Sequence, residues 1–117
     1  MSSDLPESDW KAFRKLRGHA LERLCERALS DVNRLACDGT KTFHERYLEV
    51  FELIQERDGQ IARAFNNPRR SSATLQLADM LSLGLIKSDE LLAFTPRTRT
   101  VVEALAAVRK ARGIKKG

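Results

Sequence analysis

The sequence predicts an all-α domain, a compact bundle of four to five helices in which the two N-terminal helices are long. Three observations carry this. Apolar residues recur every three or four positions along most of the chain. No stretch alternates apolar and polar residues for long enough to argue for a strand. Helix-starting and helix-stopping residues punctuate the pattern at intervals. With 117 residues, 42% apolar and 32% charged, a single globular domain over 1–112 is expected, followed by a disordered basic tail over 113–117. A chain of this size buries roughly two-thirds of its unfolded surface, so neither a disulfide nor a metal is needed for folding.

Ser8 and Asp9 are expected to cap a first helix running to about Ala36. Its stripe is Trp10, Phe13, Ala20, Leu24, Ala28, Val32 and Leu35, widened by Leu16, Leu21, Cys25 and Leu29, so it should touch more than one neighbour. Gly39, in Cys37-Asp-Gly-Thr, breaks it. Thr42-Phe-His-Glu45 has the form of a capping box. In the helix that follows, Phe43, Tyr47, Val50, Phe51, Ile54, Ile61 and Phe65 share a face and are expected in the core. Glu45, Glu49, Glu52 and Glu56 fall opposite. This helix should reach about Asn66, with a bend at Asp58-Gly59 left open, because Pro68 drives the residue before it out of helical geometry.

Ser71 or Ser72 should cap a third helix that turns Leu75, Ala78, Leu81 and Leu77 inward and closes at Gly84. Ser88-Asp-Glu opens a short fourth helix to about Phe94, with acids at the end that favours them. Thr95-Pro96 begins a fifth, whose proline gives up only an N–H that has no helical partner. Val101, Leu105 and Val108 are expected on its inner side.

The residue inventory argues against catalysis. His19 and His44 are the only histidines, and neither belongs to an HExxH, a Glu-x-x-His or a paired CxxC spacing. Cys37, His44 and Asp38 could meet across a loop, but three ligands fall short of a structural zinc site. A Cys–His nucleophile would lack a group to orient the imidazole. Cys25 and Cys37 lie about 18 Å apart along one helix, far beyond disulfide reach, and are read as reduced thiols. The four glutamates point away from the apolar stripe, toward water rather than a dry cavity. No glycine-rich phosphate cradle is present. Leu75 to Phe94 has the outline of a helix-turn-helix, but its second helix would open with Asp89 and Glu90, the end that should approach phosphates. No catalytic residue, cofactor or metal is expected.

Charge is the one feature that points outward. Arg97 to Gly117 carries seven bases and one acid, whereas the other 96 residues carry 14 bases and 15 acids. The whole net charge of +5 therefore sits at the C-terminal end. The opening residues are acidic and lack the basic and apolar regions of a secretory signal, and no apolar run approaches the roughly 20 residues of a membrane span.

Phe43-His-Glu-Arg-Tyr, Ile54-Gln-Glu-Arg-Asp, Phe65-Asn-Asn-Pro-Arg-Arg-Ser and Leu83-Gly-Leu-Ile, with Asp9-Trp-Lys-Ala-Phe, resemble a group of small helical proteobacterial proteins. The likeness covers most of the chain. It implies a bacterial cytoplasmic protein and transfers no site residue. Some of these proteins carry a peptide-chain-release-factor label, yet the Gly-Gly-Gln of a peptidyl-tRNA hydrolysing factor is absent here.

Two functional expectations follow. The first is a non-catalytic cytoplasmic interaction module that binds a protein partner or a second copy of itself, because the first helix is apolar over more surface than one neighbour covers. The alternative is a non-specific RNA- or DNA-binding protein using Arg69, Arg70, Arg97, Arg99, Arg109, Lys110, Arg112, Lys115 and Lys116. Membrane docking is not expected, since the last helix offers Val, Leu and Ala without Trp or Phe anchors.

Overall fold

The computed structural model describes the backbone of residues 5–116 and side chains as far as Ala111. Four α-helices follow one another: α1 (Glu7–Ala36), α2 (Phe43–Phe65), α3 (Ala73–Ser82) and α4 (Pro96–Lys116). Arg70–Ser72 and Ser88–Ala93 form 3₁₀ turns, and the described residues contain no strand. This is the all-α bundle the sequence predicts, with its two long N-terminal helices. The expected short fourth helix is the 3₁₀ turn at Ser88–Ala93, closed by Phe94 N–H donating to the Leu91 carbonyl at 3.0 Å. The expected tail falls mostly on residues whose side chains lie outside the described set, as Gly117 does entirely.

Local chemistry accounts for the helix ends. The capping box of α2 is complete: Glu45 N–H donates to Thr42 Oγ1 at 3.0 Å, and Thr42 N–H donates to Glu45 Oε1 at 2.9 Å. Gly84, at φ +74°, ends α3 in a Schellman motif, with Leu85 N–H on the Met80 carbonyl and Gly84 N–H on the Leu81 carbonyl. Two expected caps are not made. Ser72 donates its hydroxyl to the Arg69 carbonyl instead of capping α3. Helix α1 starts at Glu7, so Ser8 and Asp9 lie inside its first turn rather than ahead of it.

Asp9 has a different task. Its carboxylate is fully buried and reaches the start of α4, 86 residues away. Oδ1 accepts from Thr95 N–H at 2.9 Å, and Oδ2 accepts from Thr95 Oγ1 at 2.8 Å and Thr98 Oγ1 at 2.6 Å. Burial works to raise the pKa of this group, but the bonds from Thr98 and Thr95 prevail and hold it below the usual aspartate value. Anchoring Thr98 inward also sets the phase of α4. Its buried line is Thr98, Val102 and Ala106, with Leu105 partly covered, whereas Val101 and Val108 are exposed. In α3, Leu77, Ala78 and Met80 are buried and Leu75 is exposed.

These side chains join Phe13, Leu16, Ala20 and Leu24 of α1, Ala64 and Phe65 of α2, and Leu85, Ile86, Leu91 and Phe94 in one core. As its wide apolar surface implied, α1 packs against both α2 and α3. Its arginines also close the ends of other elements. Arg17 Nη2 donates to the Phe65 carbonyl at 2.5 Å, at the end of α2. Arg27 donates to the carbonyls of Leu83 and Gly84, just past α3. Arg23 donates to the Leu85 carbonyl and grips Glu90 through two bonds of 2.8 Å. In return, Arg46 of α2 donates to the Ala36 carbonyl at the end of α1.

The core occupies only one end of the molecule. Principal extents are 56 × 29 × 24 Å and the radius of gyration is 16.5 Å, against about 13 Å for a compact chain of this length. The difference comes from the α1–α2 hairpin, which continues past the end of α3. Within α2, only Ala64 and Phe65 are buried.

Replacing Asp9 with Ala leaves the Thr95 N–H and Thr98 hydroxyl without their acceptor in a closed space, and is expected to cost about 2–4 kcal/mol in urea unfolding. A loss under about 1 kcal/mol would refute this role. The Arg23 bonds, working against burial and helped by the Lys87 N–H, depress Glu90 from 4.5 to about 2. A depressed carboxylate stabilises the fold above its unfolded pKa, and that stability goes as pH falls through the folded value. Unfolding free energy should therefore drop between pH 4.5 and about 2, less steeply for Glu90→Gln than for the parent chain.

Candidate functional site

Charged side chains from distant parts of the sequence meet where the end of α2, the linker into α3 and the later turns of α4 converge. Pro68 stops α2, and Asn67 takes φ +52°, a left-handed conformation that asparagine tolerates better than most residues. The chain thereby turns back into the Arg70–Ser72 turn. Between these elements runs an open groove of about 1040 Å³. Arg63 comes to it from α2, Arg69 from the linker, Gln76 and Asp79 from α3, and Arg109 and Lys110 from α4.

Gln76 forms part of the floor and is almost fully buried. Its Nε2 donates to the Asn66 carbonyl at 2.7 Å, satisfying the backbone just past α2, while its Oε1 is enclosed without a partner. Asp79 is the groove's acid. Arg109 Nε lies 2.6 Å from its Oδ1, but the N–H is not aimed at that oxygen, so the attraction is coulombic rather than a formed hydrogen bond. Burial raises the pKa of Asp79, and the opposing pull of Arg109 and Arg63 is the smaller effect. Arg63, Arg69 and Lys110 form no ion pair at contact distance among the described residues, Arg63 acting on Asp79 only from further away.

The nine basic residues singled out from the sequence thus separate. Arg69, Arg109 and Lys110 meet in the groove. Arg70 does not join them: it pairs with Glu7 and lies over the Trp10 ring at 5.5 Å. Arg97 and Arg99 stand in the first turn of α4, away from the groove lining. Arg112, Lys115 and Lys116 have side chains outside the described set. Arg63 was missed because its helix reads as acidic, although its place three residues before the Asn66 stop puts it beside Arg69.

A second surface is apolar. Helix α2 was expected to bury the line Phe43, Tyr47, Phe51 and Ile54, yet these side chains are 83%, 66%, 51% and 39% exposed. The reason is angular. Arg46, Val50, Leu53 and Arg57, four of the partly covered positions of α2, lie to one side of that line at 100° per residue. Arg57 reaches across to Asp31 of α1 at 3.1 Å. Only Ile61 and Phe65, at the C-terminal end of the same line, reach the core. The glutamates behave largely as expected: Glu45, Glu52 and Glu56 are exposed, and Glu49 pairs with Lys41.

The thiols and imidazoles do not assemble. His19 and His44 are exposed, Cys25 is partly buried and Cys37 exposed, and both cysteines are free. Asp38 is engaged by the Thr40 N–H and hydroxyl at 3.0 and 2.6 Å. Among the described residues no three His, Cys, Asp or Glu side chains gather as a metal site. His19 and Cys25 border a depression whose lining comes from α1 alone, so it has no opposing wall. No helix among the described residues is long and apolar enough to cross a membrane.

No protein family, curated protein or solved structure matches the chain.

Asp79 yields a prediction of opposite sign to that for Glu90. A carboxyl whose pKa is raised on folding stabilises the native state below its unfolded value and loses that contribution as pH rises through the folded one. Asp79→Asn should therefore raise stability relative to the parent chain more at pH 7 than at pH 3.5. An advantage that is larger at the acidic value would overturn the assignment.

Proposed function

We propose that the protein is a non-catalytic interaction module of the bacterial cytoplasm that works as a homodimer, joined through the exposed face of α2. The observation that carries this is the uncovered line Phe43, Tyr47, Phe51 and Ile54 on a hairpin that projects beyond the core. Three aromatic rings at these exposures present on the order of 400 Å² of apolar surface, at the scale that marks contact sites on soluble proteins. Ile54 and Leu48, both exposed, enlarge it.

A second copy fits this face by symmetry. A two-fold axis between Tyr47 and Phe51 lays one α2 antiparallel to the other, with Phe43 near Ile54 of its partner and Tyr47 near Phe51. The two hairpins then form a four-helix arrangement with the aromatic line inside. Two such faces, with their polar margins, reach the roughly 1,000 Å² of total buried area that a specific interface needs. The reduced thiols and the likeness to small proteobacterial proteins support the cytoplasmic setting.

Light scattering on the intact chain should give twice the 13.2 kDa monomer mass at micromolar concentration. Tyr47→Glu combined with Phe51→Glu should weaken association at least 100-fold with helicity unchanged, since both side chains are exposed. An apolar seam resists salt, so dissociation at high salt would point instead to pairing between acidic and basic surfaces. A monomer at every concentration would overturn the proposal.

A further inference from the structure

The groove between α2, α3 and α4 carries chemistry that the aromatic face does not use. Arg63, Arg69 and Lys110 lie along its walls, drawn from three separate elements, with no ion pair at contact distance among the described residues. Most other basic side chains with assigned contacts are occupied: Arg17, Arg23, Arg27 and Arg46 on carbonyls, and Arg34, Arg57 and Arg70 on carboxylates. The groove itself brings four cations from three elements, Arg63, Arg69, Arg109 and Lys110, against one carboxylate, Asp79. That excess of positive charge raises the energy of the empty groove, and a bound anion relieves it.

The shape of the groove and the spread of the charge define the class of anion. An open channel of about 1040 Å³ with cations distributed along it does not enclose a single compact phosphate. It suits a chain of phosphates. A channel of about 1040 Å³ has room for a few nucleotides of one strand and not for a duplex. No aromatic ring lines the channel, so the contacts fall on the backbone and leave base identity largely unread. The acid present is compatible with this: Asp79 is already opposed by Arg109 at 2.6 Å. Helix α4 then runs on with Arg112, Lys115 and Lys116, which lengthens the run of positive charge in the sequence.

We infer that this groove binds the phosphodiester backbone of single-stranded nucleic acid, with Arg63, Arg69 and Lys110 as its phosphate contacts. Three neutralised phosphates give a slope of about −2 for log affinity against log salt. The test is fluorescence anisotropy of the full chain with labelled 12-nucleotide strands of mixed sequence, RNA and DNA in parallel. Affinity should fall about 15- to 20-fold between 50 and 200 mM salt. Arg63→Gln with Lys110→Gln should weaken binding and flatten the slope by about 1.4, and both residues are exposed and unpaired, so the fold should be kept. Asp79→Asn should tighten binding. Arg97→Gln with Arg99→Gln, which removes the same charge outside the groove, should leave it nearly unchanged.

Tighter binding of RNA would assign the contact to a ribose-bearing strand, and equal binding to the phosphate chain alone; either upholds the inference. It is overturned if neither strand binds at 50 mM salt, if the Arg97 and Arg99 changes weaken binding as much as the groove changes, if a duplex binds more tightly than its strands, or if pyrophosphate competes as well as an unlabelled strand.

Discussion

One buried carboxylate joins the two ends of this chain. Asp9 sits in the first turn of α1, and its three acceptor bonds all go to Thr95 and Thr98 at the start of α4. Among the described residues no cation pairs with it. The charge is held by donors and by the N-terminal end of the α4 dipole, which makes the arrangement strict: both threonines must be where they are, and α4 must begin there. Once that junction closes, Thr98 points inward and the buried line of α4 is fixed as Thr98, Val102 and Ala106. Packing on α3 follows, and with it the position of Arg109 and Lys110 on the groove wall. The geometry of the candidate site therefore descends from a contact made at the opposite end of α4.

Helix α1 organises the rest through arginines whose role is structural. Helix C-termini leave carbonyls without partners, and in this chain guanidinium groups from α1 fill that need at the end of α2 and around the turn after α3. The Arg23–Glu90 pair extends the same logic to the 3₁₀ turn, which is too short to hold itself in place. A high content of basic residues thus divides into two populations. One is consumed in holding elements together, and the other, to which the groove's Arg63 and Lys110 belong, makes no ion pair among the described residues. Net charge alone could not make that division.

Periodicity and punctuation made the helices legible. The capping box at Thr42 and Glu45, the glycine stop at Gly84 and the Thr95-Pro96 start are all local, and each lies where the sequence places it. What the sequence left unread was tertiary. Ser8 and Asp9 have the composition of an N-cap, but Pro6 and Glu7 start the helix earlier and the core draws Asp9 inward. The α2 stripe has the form of a buried face, yet burial needs a neighbour, and α3 is too short to follow α2 along its whole length. Arg69, Arg109 and Lys110 were identified as basic, but their convergence depends on α4 packing along α3. Arg70 shows the converse: its partner Glu7 is 63 residues away, so no local pattern could reveal that it is already occupied.

The projecting hairpin has a consequence for how the molecule breathes. Its outer half, around the Cys37–Thr42 loop, is fastened by the capping box, by Arg46 and by the Asp31–Arg57 pair, while none of its α2 side chains before Ala64 is fully enclosed. Cooperative units with little hydrocarbon inside them open at lower free energy than the globule they adjoin. Amide protons near the loop should consequently exchange with solvent through a sub-global event that leaves α3 and α4 closed. Whatever covers Tyr47 and Phe51 slows that exchange first, so the arm's own looseness becomes the reporter of its occupancy.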